Sequence, residues 1–515
     1  MITDKLFHWA VQTPDRPYVV FGERQIDYRS MACIVNTLAH RLRAVGVAPG
    51  DRVALMCGNR PAFLAAWFAV SELGAVAVPL NTALVGDGLR YTLQQSGSRR
   101  LLIEPDLLAA LRGDIGALEV PPECVSIDES METFDPDNPN ANVRVADILV
   151  AGERSASSPN SFLYTSGTTG LPKAAVIPHG SYEAAGRDMT AALGLTADDR
   201  IMVFLPLFHA NPQMYAVAST LHCGATLVLL PRFSASRFFD DARRYGATGF
   251  TYVGTVLSIL EKQHAQVQRD HGLRWGVGGG APARVWQDVE SRFGVSIREL
   301  YGMTETGGWV TMNTPVASRF GSVGRARPAV TIAIRDELGR DLSVGSKGEI
   351  VAHDASRQLF LSEYWHNEAA TSSTLRDGWL HTGDRGWLDK DGFLFFDGRV
   401  KELIRRGGEM ISPVEIEQQL LKHPDVLDCV VLAAPDDILG EEIKALVVVG
   451  RAVDFNALRD FLAGRLPQYM HPRYFGQVHA IPKTETQKVK RHEADRLDTV
   501  LVDTSPKQRH VKETT

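Results

Sequence analysis

The chain has 515 residues, too many for one hydrophobic core, and a prior of about 150 residues per domain indicates about three structural units. Its 55 basic and 61 acidic residues give a formal net charge of −6, so no overall basic field predicts a nucleic-acid partner. Five scattered cysteines without C-x-x-C spacing predict neither a disulfide framework nor a zinc site, and a cytoplasmic location is the simplest expectation. The N-terminal MITDKLFHWAVQTPDRP has no long apolar run, and no stretch approaches about 18 uninterrupted apolar residues, so neither secretion nor a membrane span is expected.

The first part of the chain alternates between strand and helix patterns. Residues 51–80 predict strand, helix and strand, with an apolar helix between two short buried runs. Similar alternation returns at 205–231 and at 247–263. Such alternation predicts an α/β fold in which helices cover parallel sheets.

The segment YTSGTTGLPK, residues 164–173, has the composition of a phosphate-binding loop. Glycines allow the backbone to approach an anion, hydroxyls donate hydrogen bonds, and a lysine adds a mobile cation. The candidate ligands are Thr165, Ser166, Gly167, Thr168, Thr169, Gly170 and Lys173. Leu171 follows Gly170, so the loop does not have the Walker A pattern. A flexible Ser/Gly linker is the alternative, but the apolar runs on both sides predict two strands joined by a loop.

From about residue 325 the pattern changes to β-rich segments, with a clear hairpin turn at Asp391-Gly392. The run from Ser412 to Glu415 predicts a capping box with proline at the first helical position. Strand and helix patterns continue to about residue 500 and predict a compact α+β unit. We therefore expect a large N-terminal domain, 1–398, whose β-rich subdomain begins near 325. A small C-terminal domain, 399–500, and a flexible tail, 501–515, follow.

Six segments in order resemble the adenylate-forming superfamily of acyl-CoA synthetases, nonribosomal adenylation domains and firefly luciferase. They are YTSGTTGLPK (164–173), GGGAP (278–282), YGMTET (301–306), HTGD (381–384), DGRVKELIRRGGEMISPVEIE (397–417) and PKTETQK (482–488). The segment FHANPQM, 208–214, is most similar to the carnitine/crotonobetaine-type CoA ligases. The resemblance implies a large domain followed by a small mobile one.

The resemblance also implies a reaction in two halves. A carboxylate attacks the α-phosphate of ATP to give an acyl-adenylate and pyrophosphate, and a thiol then displaces AMP. ATP, Mg²⁺ and coenzyme A are the implied cofactors. The 164–173 loop would hold the β and γ phosphates, Thr304 would donate to the α-phosphate, and Glu305 would bind Mg²⁺. A surface carboxylate after a turn is the competing interpretation of Glu305.

By the same resemblance, two segments would bind the nucleoside. The adenine would lie against 280–282 and the YGMTET segment, whose candidate residues are Gly280, Ala281, Pro282, Tyr301, Gly302 and Met303. Asp384 would accept hydrogen bonds from both ribose hydroxyls, and Arg399 would reach the same nucleotide. A buried structural tyrosine and a simple turn aspartate are the alternatives.

The resemblance gives the C-terminal segment a catalytic and a mechanical role. Lys488 would enter the site during adenylation and withdraw for the thioester step, although Gln487 stands where the family commonly has glycine. Lys401 would be the hinge, and Gly408 would lie close to the pantetheine arm. A solvated lysine and a plain turn glycine are the alternatives for Lys488 and Gly408.

The resemblance implies that the substrate is a small-molecule carboxylic acid. His209 matches the aromatic gate position of the family, and FHANPQM has no aspartate to pair with an amino-acid substrate's ammonium. Glycines at 254, 278, 307 and 308 predict a roomy acyl pocket. The leading hypothesis is an acid:CoA ligase. A stand-alone enzyme that loads a carrier-protein thiol, a luciferase-like oxygenase and a degenerate ATP-binding protein are the alternatives. A homodimer is the candidate oligomeric state.

Overall fold

The computed structural model describes residues 1–128, 154–165, 172–399, 402–406, 409–436, 439–451, 453–463, 465–466, 468–484 and 489–505. The chain divides into two compact units. The larger contains Met1–Ile332, Val351–His381 and Gly392–Leu394, and the smaller contains Ala333–Ile350, Thr382–Asp391 and Phe395–Thr515. The predicted boundary between 398 and 399 and the hinge at Lys401 stay predictions, and Lys401 lies outside the described residues.

The helices of the described chain are α1 Ile2–Gln12, α2 Tyr28–Ala44, α3 Pro61–Glu72, α4 Gly86–Ser96, α5 Pro105–Gly116, α6 His179–Leu193, α7 Ala218–Cys223, α8 Phe238–Arg244, α9 Gly254–Gln263, α10 Ala283–Phe293, α11 Glu368–Thr374, α12 Pro413–Leu420, α13 Phe455–Leu462 and α14 Arg491–Ala494. A π-helix spans Pro212–Val217, and short 3₁₀ helices include Thr304–Thr306 and Gln468–Met470. None of the helices described here is both long and apolar enough to cross a membrane.

The strands of the described chain are β1 Pro17–Phe21, β2 Arg24–Asp27, β3 Arg52–Met56, β4 Val76–Pro79, β5 Arg100–Ile103, β6 Glu123–Ser126, β7 Pro159–Thr165, β8 Lys173–Pro178, β9 Arg200–Val203, β10 Thr226–Leu229, β11 Gly249–Val253, β12 Trp275–Gly279, β13 Ser296–Tyr301, β14 Thr311–Met312, β15 Arg325–Ala326, β16 Val330–Arg335, β17 Gly348–Asp354, β18 Leu375–Arg376, β19 Trp379–Leu388, β20 Leu394–Arg399, β21 Ile404–Arg406, β22 Glu409–Ile411, β23 Val426–Asp436, β24 Gly440–Val449, β25 Tyr474–Gln477 and β26 Val502–Asp503.

The larger unit contains two sheets. One has the order β15-β14-β13-β12-β11-β9-β10-β1-β2, and the other has the order β6-β5-β3-β4-β7-β8. The neighbours from β9 to β13 pair in parallel, as do β3, β4 and β5. The helix α3, which joins β3 to β4, is buried at all of its positions, because its sequence PAFLAAWFAVSE is apolar on every side. The predicted βαβ unit is therefore confirmed, and so is the α/β class.

A β-rich segment follows β15. Its sheet has the order β16-β17-β19-β18, and β20 pairs with β19. Gly392, between β19 and β20, has φ of 78°, a left-handed conformation that favours glycine. The hairpin turn predicted at Asp391-Gly392 is therefore confirmed.

The smaller unit contains the sheet β22-β21-β24-β25-β26, with β23 paired to β24. Helices α12 and α13 pack their apolar residues on this sheet, with Ile416, Leu420, Leu458 and Leu462 in its core. Val502–Asp503 pairs with β25, so the predicted flexible tail does not begin at 501. Residues 506–515 lie outside the described residues.

The predicted capping box at the start of α12 is wrong, although the helix does begin at Pro413. The Ser412 hydroxyl makes no capping bond and instead donates to the carbonyl of Asp397 at 2.5 Å. The Glu415 carboxylate lies 3.4 Å from the ammonium of Lys347. Both side chains have tertiary partners that compete with the local cap, which the sequence pattern alone does not reveal.

Candidate active site

The predicted phosphate loop joins the ends of an antiparallel hairpin. Thr165, the last residue of β7, pairs with Lys173, the first residue of β8. The hairpin confirms the prediction of two strands joined by a loop. The loop residues Ser166, Gly167, Thr168, Thr169 and Gly170 lie outside the described residues, so their contacts with phosphate stay predictions.

The segment 362–365 pairs with β8 and places a tyrosine beside Lys173. The N–H of Val176 donates to the carbonyl of Glu363, and the N–H of Trp365 donates to the carbonyl of Ala174, both at 2.9 Å. This pairing places Tyr364 opposite Ala175. The ammonium of Lys173 consequently lies 4.7 Å from the centroid of the Tyr364 ring, a cation–π contact.

The same tyrosine contacts the predicted magnesium ligand. Glu305 lies in the 3₁₀ helix Thr304–Thr306, which the Thr306 hydroxyl stabilises by accepting from the N–H of Met303. The Tyr364 hydroxyl donates to Oε1 of Glu305 at 2.7 Å, and the N–H of Leu361 donates to the Glu305 carbonyl at 2.8 Å. Two motifs more than a hundred residues apart in the chain thus meet at one aromatic ring.

The surroundings of Glu305 fit a hard cation. The residue is 5% exposed, and no hydrogen bond from a described residue reaches the second oxygen of its carboxylate, Oε2. Within the described residues no group of three His, Cys, Asp or Glu side chains could hold a metal. Mg²⁺ is commonly bound through one or two carboxylates together with substrate phosphates, so a single available carboxylate oxygen fits that ion bound with a nucleotide.

The predicted adenine segment is held by a buried carboxylate that sequence reasoning missed. Gly280 has φ of 87°, and Oε1 of Glu299 accepts from its N–H at 2.5 Å and from the N–H of Ala281 at 3.0 Å. Oε2 accepts from the Tyr252 hydroxyl at 2.6 Å. Burial raises the pKa of Glu299 to about 8, against the lowering effect of these hydrogen bonds. The signal in the sequence was an acid in β13, two residues before the YGMTET segment.

The glycines of this region bring backbone segments together. An added Cβ at Gly254 would overlap the carbonyl of Gly280, and one at Gly278 would overlap the carbonyl of Tyr252. At Gly308 an added Cβ would meet the side chain of Met214. The expectation that these glycines open a roomy acyl pocket is therefore wrong at these positions, because backbone and side-chain atoms already occupy the space.

The YGMTET segment begins at the carboxyl end of β13. Tyr301 is the last residue of that strand and is buried, and an added Cβ at Gly302 would overlap the carbonyl of Gly308. Pro282 is the N-cap of α10, so the segment 280–282 leads from the carboxyl end of the neighbouring strand β12 into a helix. Candidate adenine residues thus follow two adjacent parallel strands, and such strand ends are where open α/β sheets bind ligands.

His209 lies in the loop between β9 and the π-helix Pro212–Val217. Its ring centroid is 4.3 Å from that of Phe208, and burial lowers the pKa of its imidazole to about 4. The imidazole is therefore neutral near pH 7. The adjacent π-helix is anchored by Gln213, whose amide donates to the carbonyl of Leu207 at 2.7 Å. Such irregular helical turns are frequent at functional sites.

The remaining candidates belong to the smaller unit. Asp384 lies in β19, where its N–H donates to the Thr382 hydroxyl at 3.0 Å. Arg399 ends β20, and its side chain is not described. A bridge between Lys483 and Val489 joins the two ends of the segment that carries Lys488. Gly408 and Lys488 themselves lie outside the described residues, so their roles stay predictions.

Comparison with known proteins gives relatives over nearly the whole chain. Indoleacetate–CoA ligase of Aromatoleum aromaticum is 32% identical over 501 residues, covering 94% of this chain and 95% of the relative. Fatty acid–(acyl-carrier-protein) ligase ScoC of Streptomyces coeruleorubidus is 31% identical over 503 residues, 95% and 94% of the two chains. Crotonobetaine/carnitine–CoA ligase of Salmonella paratyphi C is 31% identical over 476 residues, 90% and 92%.

A solved structure and two family profiles also match this chain. O-succinylbenzoate coenzyme A synthetase (MenE) from Bacillus subtilis, solved in complex with ATP and magnesium ion, is 28% identical with a TM-score of 0.83, and the match covers 95% of this chain and 99% of that one. The profile of the AMP-binding enzyme family matches residues 6–365, and that of the AMP-binding enzyme C-terminal domain matches residues 415–488. The motifs, the fold and the matched profiles show that this chain belongs to the AMP-binding enzymes, in the acyl-CoA synthetase branch of the adenylate-forming superfamily.

Proposed function

We propose that this chain is an ATP-dependent acid:CoA ligase of the AMP-forming type. It joins a carboxylic acid to AMP with release of pyrophosphate, and it then transfers the acyl group from AMP to the thiol of coenzyme A. The observation that carries the proposal is the convergence of Lys173 and Glu305 on Tyr364, next to the two ends of the predicted phosphate loop. A nucleoside triphosphate needs a cation for its phosphates, and its magnesium ion needs a carboxylate with an available oxygen.

In the first half-reaction the site must bring two anions together. Lys173 and the loop 165–170 hold the β and γ phosphates, and Thr304 donates to the α-phosphate. Glu305 would hold the magnesium ion, which would neutralise phosphate charge when bound. Lys488 adds a positive charge where the carboxylate meets the α-phosphate.

Two chain segments and two single residues hold the nucleoside. The backbone of 280–282 and the residues from Tyr301 to Met303 contact the adenine. The network of Glu299 and Tyr252 supports this proposal because it fixes the N–H groups of Gly280 and Ala281 and thereby the path of the loop. Asp384 accepts from the ribose hydroxyls, and Arg399 contacts the same nucleotide.

In the second half-reaction the C-terminal segment turns about Lys401, Lys488 withdraws, and Gly408 makes room for the pantetheine arm. His209 closes the acyl pocket as an aromatic gate. Its imidazole is neutral near pH 7, because burial lowers its pKa, so it faces the acyl group as a neutral aromatic ring and not as a cation. The substrate is a small-molecule carboxylic acid.

The decisive experiment is pyrophosphate release, measured over a panel of carboxylic acids with and without coenzyme A. An acid:CoA ligase releases pyrophosphate with one or more acids and needs coenzyme A for repeated turnover. Release that never depends on coenzyme A would contradict the proposed acceptor. No release with any acid, while ATP still binds, would contradict the adenylation reaction itself.

The second candidate is a stand-alone enzyme that loads the acyl group onto a carrier-protein thiol. It is favoured by the similarity to ScoC, whose name gives a carrier protein as acceptor. Adding a phosphopantetheinylated carrier protein in place of coenzyme A separates the two acceptors.

The proposal also includes a cytoplasmic location, with which the five free cysteines agree. It further includes a homodimer, which sedimentation velocity tests.

A further inference from the structure

We propose that Tyr364 is a positioning residue that keeps Lys173 and Glu305 apart, so that each stays available to Mg²⁺ and the triphosphate. This inference rests on the proposed function. It assigns a role to a residue outside the six motifs of the sequence.

The contacts of Tyr364 hold two opposite charges on different parts of one side chain. Its ring face contacts the ammonium of Lys173, at 4.7 Å from the centroid, and its hydroxyl donates to Oε1 of Glu305 at 2.7 Å. No ion pair joins Lys173 and Glu305, both of which are described residues. A direct ion pair would neutralise the very groups that should meet the phosphates and the magnesium ion.

The tyrosine itself is firmly placed. It is 4% exposed, it forms a backbone bridge with Ala175, and its N–H donates to the Thr371 hydroxyl at 2.9 Å. A ring fixed on both sides restricts the rotamers of the carboxylate that it contacts. Because the phenol occupies Oε1, the carboxylate presents Oε2 to a cation in a defined direction, as outer hydrogen-bond partners do for metal ligands.

The test compares two substitutions that remove different parts of the side chain. Tyr364→Phe deletes the hydroxyl and keeps the ring face for Lys173, whereas Tyr364→Leu removes both. Tyr28→Phe is the matched control, because it also deletes a buried hydroxyl that donates a hydrogen bond, here to the carbonyl of Ala225 at 2.7 Å. Melting temperatures of the three variants verify folding.

The readout is the binding affinity for ATP, measured by calorimetry with Mg²⁺ and with EDTA, so that it does not depend on turnover. For Tyr364→Phe we expect the gain in affinity from Mg²⁺ to fall by about 10-fold, with the affinity in EDTA unchanged. For Tyr364→Leu we also expect weaker binding in EDTA, because Lys173 is then free to pair with Glu305. Tyr28→Phe should match the wild type in both conditions.

A double-substitution cycle with Glu305→Gln separates positioning from a general structural effect. If Tyr364 acts through the carboxylate, Tyr364→Phe should cost no further Mg²⁺-dependent affinity in the Glu305→Gln background. Independent, multiplying losses would overturn the proposal, and so would an unchanged Mg²⁺ effect in Tyr364→Phe. A wild-type chain that gains no affinity for ATP from Mg²⁺ would instead contradict the proposed function.

Discussion

The buried carboxylate under the adenine segment gives a prediction about pH. Glu299 is 4% exposed, and burial raises the pKa of its carboxyl from 4.5 to about 8. Between these two values the folded chain keeps a proton that the unfolded chain releases. The stability contributed by this proton is complete below pH 4.5 and is lost as the pH rises through 8. Glu299→Gln removes the titration and keeps the size and a carbonyl acceptor for the N–H of Gly280.

The size of the effect follows from the pKa change. One pKa unit corresponds to about 1.4 kcal/mol, so a rise from 4.5 to about 8 corresponds to at most about 5 kcal/mol of pH-dependent stability. A change of this size is a large fraction of a typical folding free energy. The wild type should therefore lose stability relative to Glu299→Gln by several kcal/mol between pH 5 and pH 9.

The assay is thermal unfolding of both proteins at pH values from 5 to 9. We expect the melting temperature of the wild type minus that of Glu299→Gln to fall steadily as the pH rises, by several degrees in total. Glu119→Gln, a substitution at an exposed glutamate, is the control and should follow the wild type at every pH. Parallel curves for the wild type and Glu299→Gln would refute the reasoning, because Glu299 would then keep one charge state over the whole range.

Three other predictions concern the proposed active site and its hinge. Gly254→Ala should cost about 1–3 kcal/mol and raise the KM for ATP, because its Cβ would overlap the Gly280 carbonyl, whereas Gly113→Ala, in open space within α5, should leave the KM unchanged and cost no stability; equal KM values for the two variants would contradict this packing. Since the pKa of His209 is lowered to about 4, pH profiles of adenylation from pH 6 to 8 should have the same shape in wild type and His209→Phe, and an inflection that only the wild type shows would be evidence against a neutral gate. Lys401→Pro, which restricts φ and deletes an N–H, should leave one half-reaction intact and abolish the other when acyl-adenylate formation and thioester formation are measured separately; wild-type rates in both would place the hinge elsewhere.

Local patterns in the sequence determined much of this protein. The βαβ unit of residues 51–80, the hairpin at Asp391-Gly392 and the strands on both sides of the 164–173 loop were all predictable. Each depends on periodicity or on turn residues within a few positions, so each can be read from a short window. The ordered motifs likewise identified the family and the reaction class.

Only the tertiary structure decided what lies next to what. Tyr364 meets Glu305 across 59 positions, and Tyr252 meets Glu299 across 47, with no local pattern to indicate either pair. The sequence pattern predicted a helix cap at Ser412, but its hydroxyl donates to the carbonyl of Asp397, 15 positions away. A buried hydroxyl bonds whichever acceptor packing places nearby. Gly254 was likewise predicted to open the acyl pocket, but the carbonyl of Gly280 occupies the space where its Cβ would lie. The sequence pattern determines which elements form, whereas the partners of a buried polar group depend on chain segments that only packing brings together.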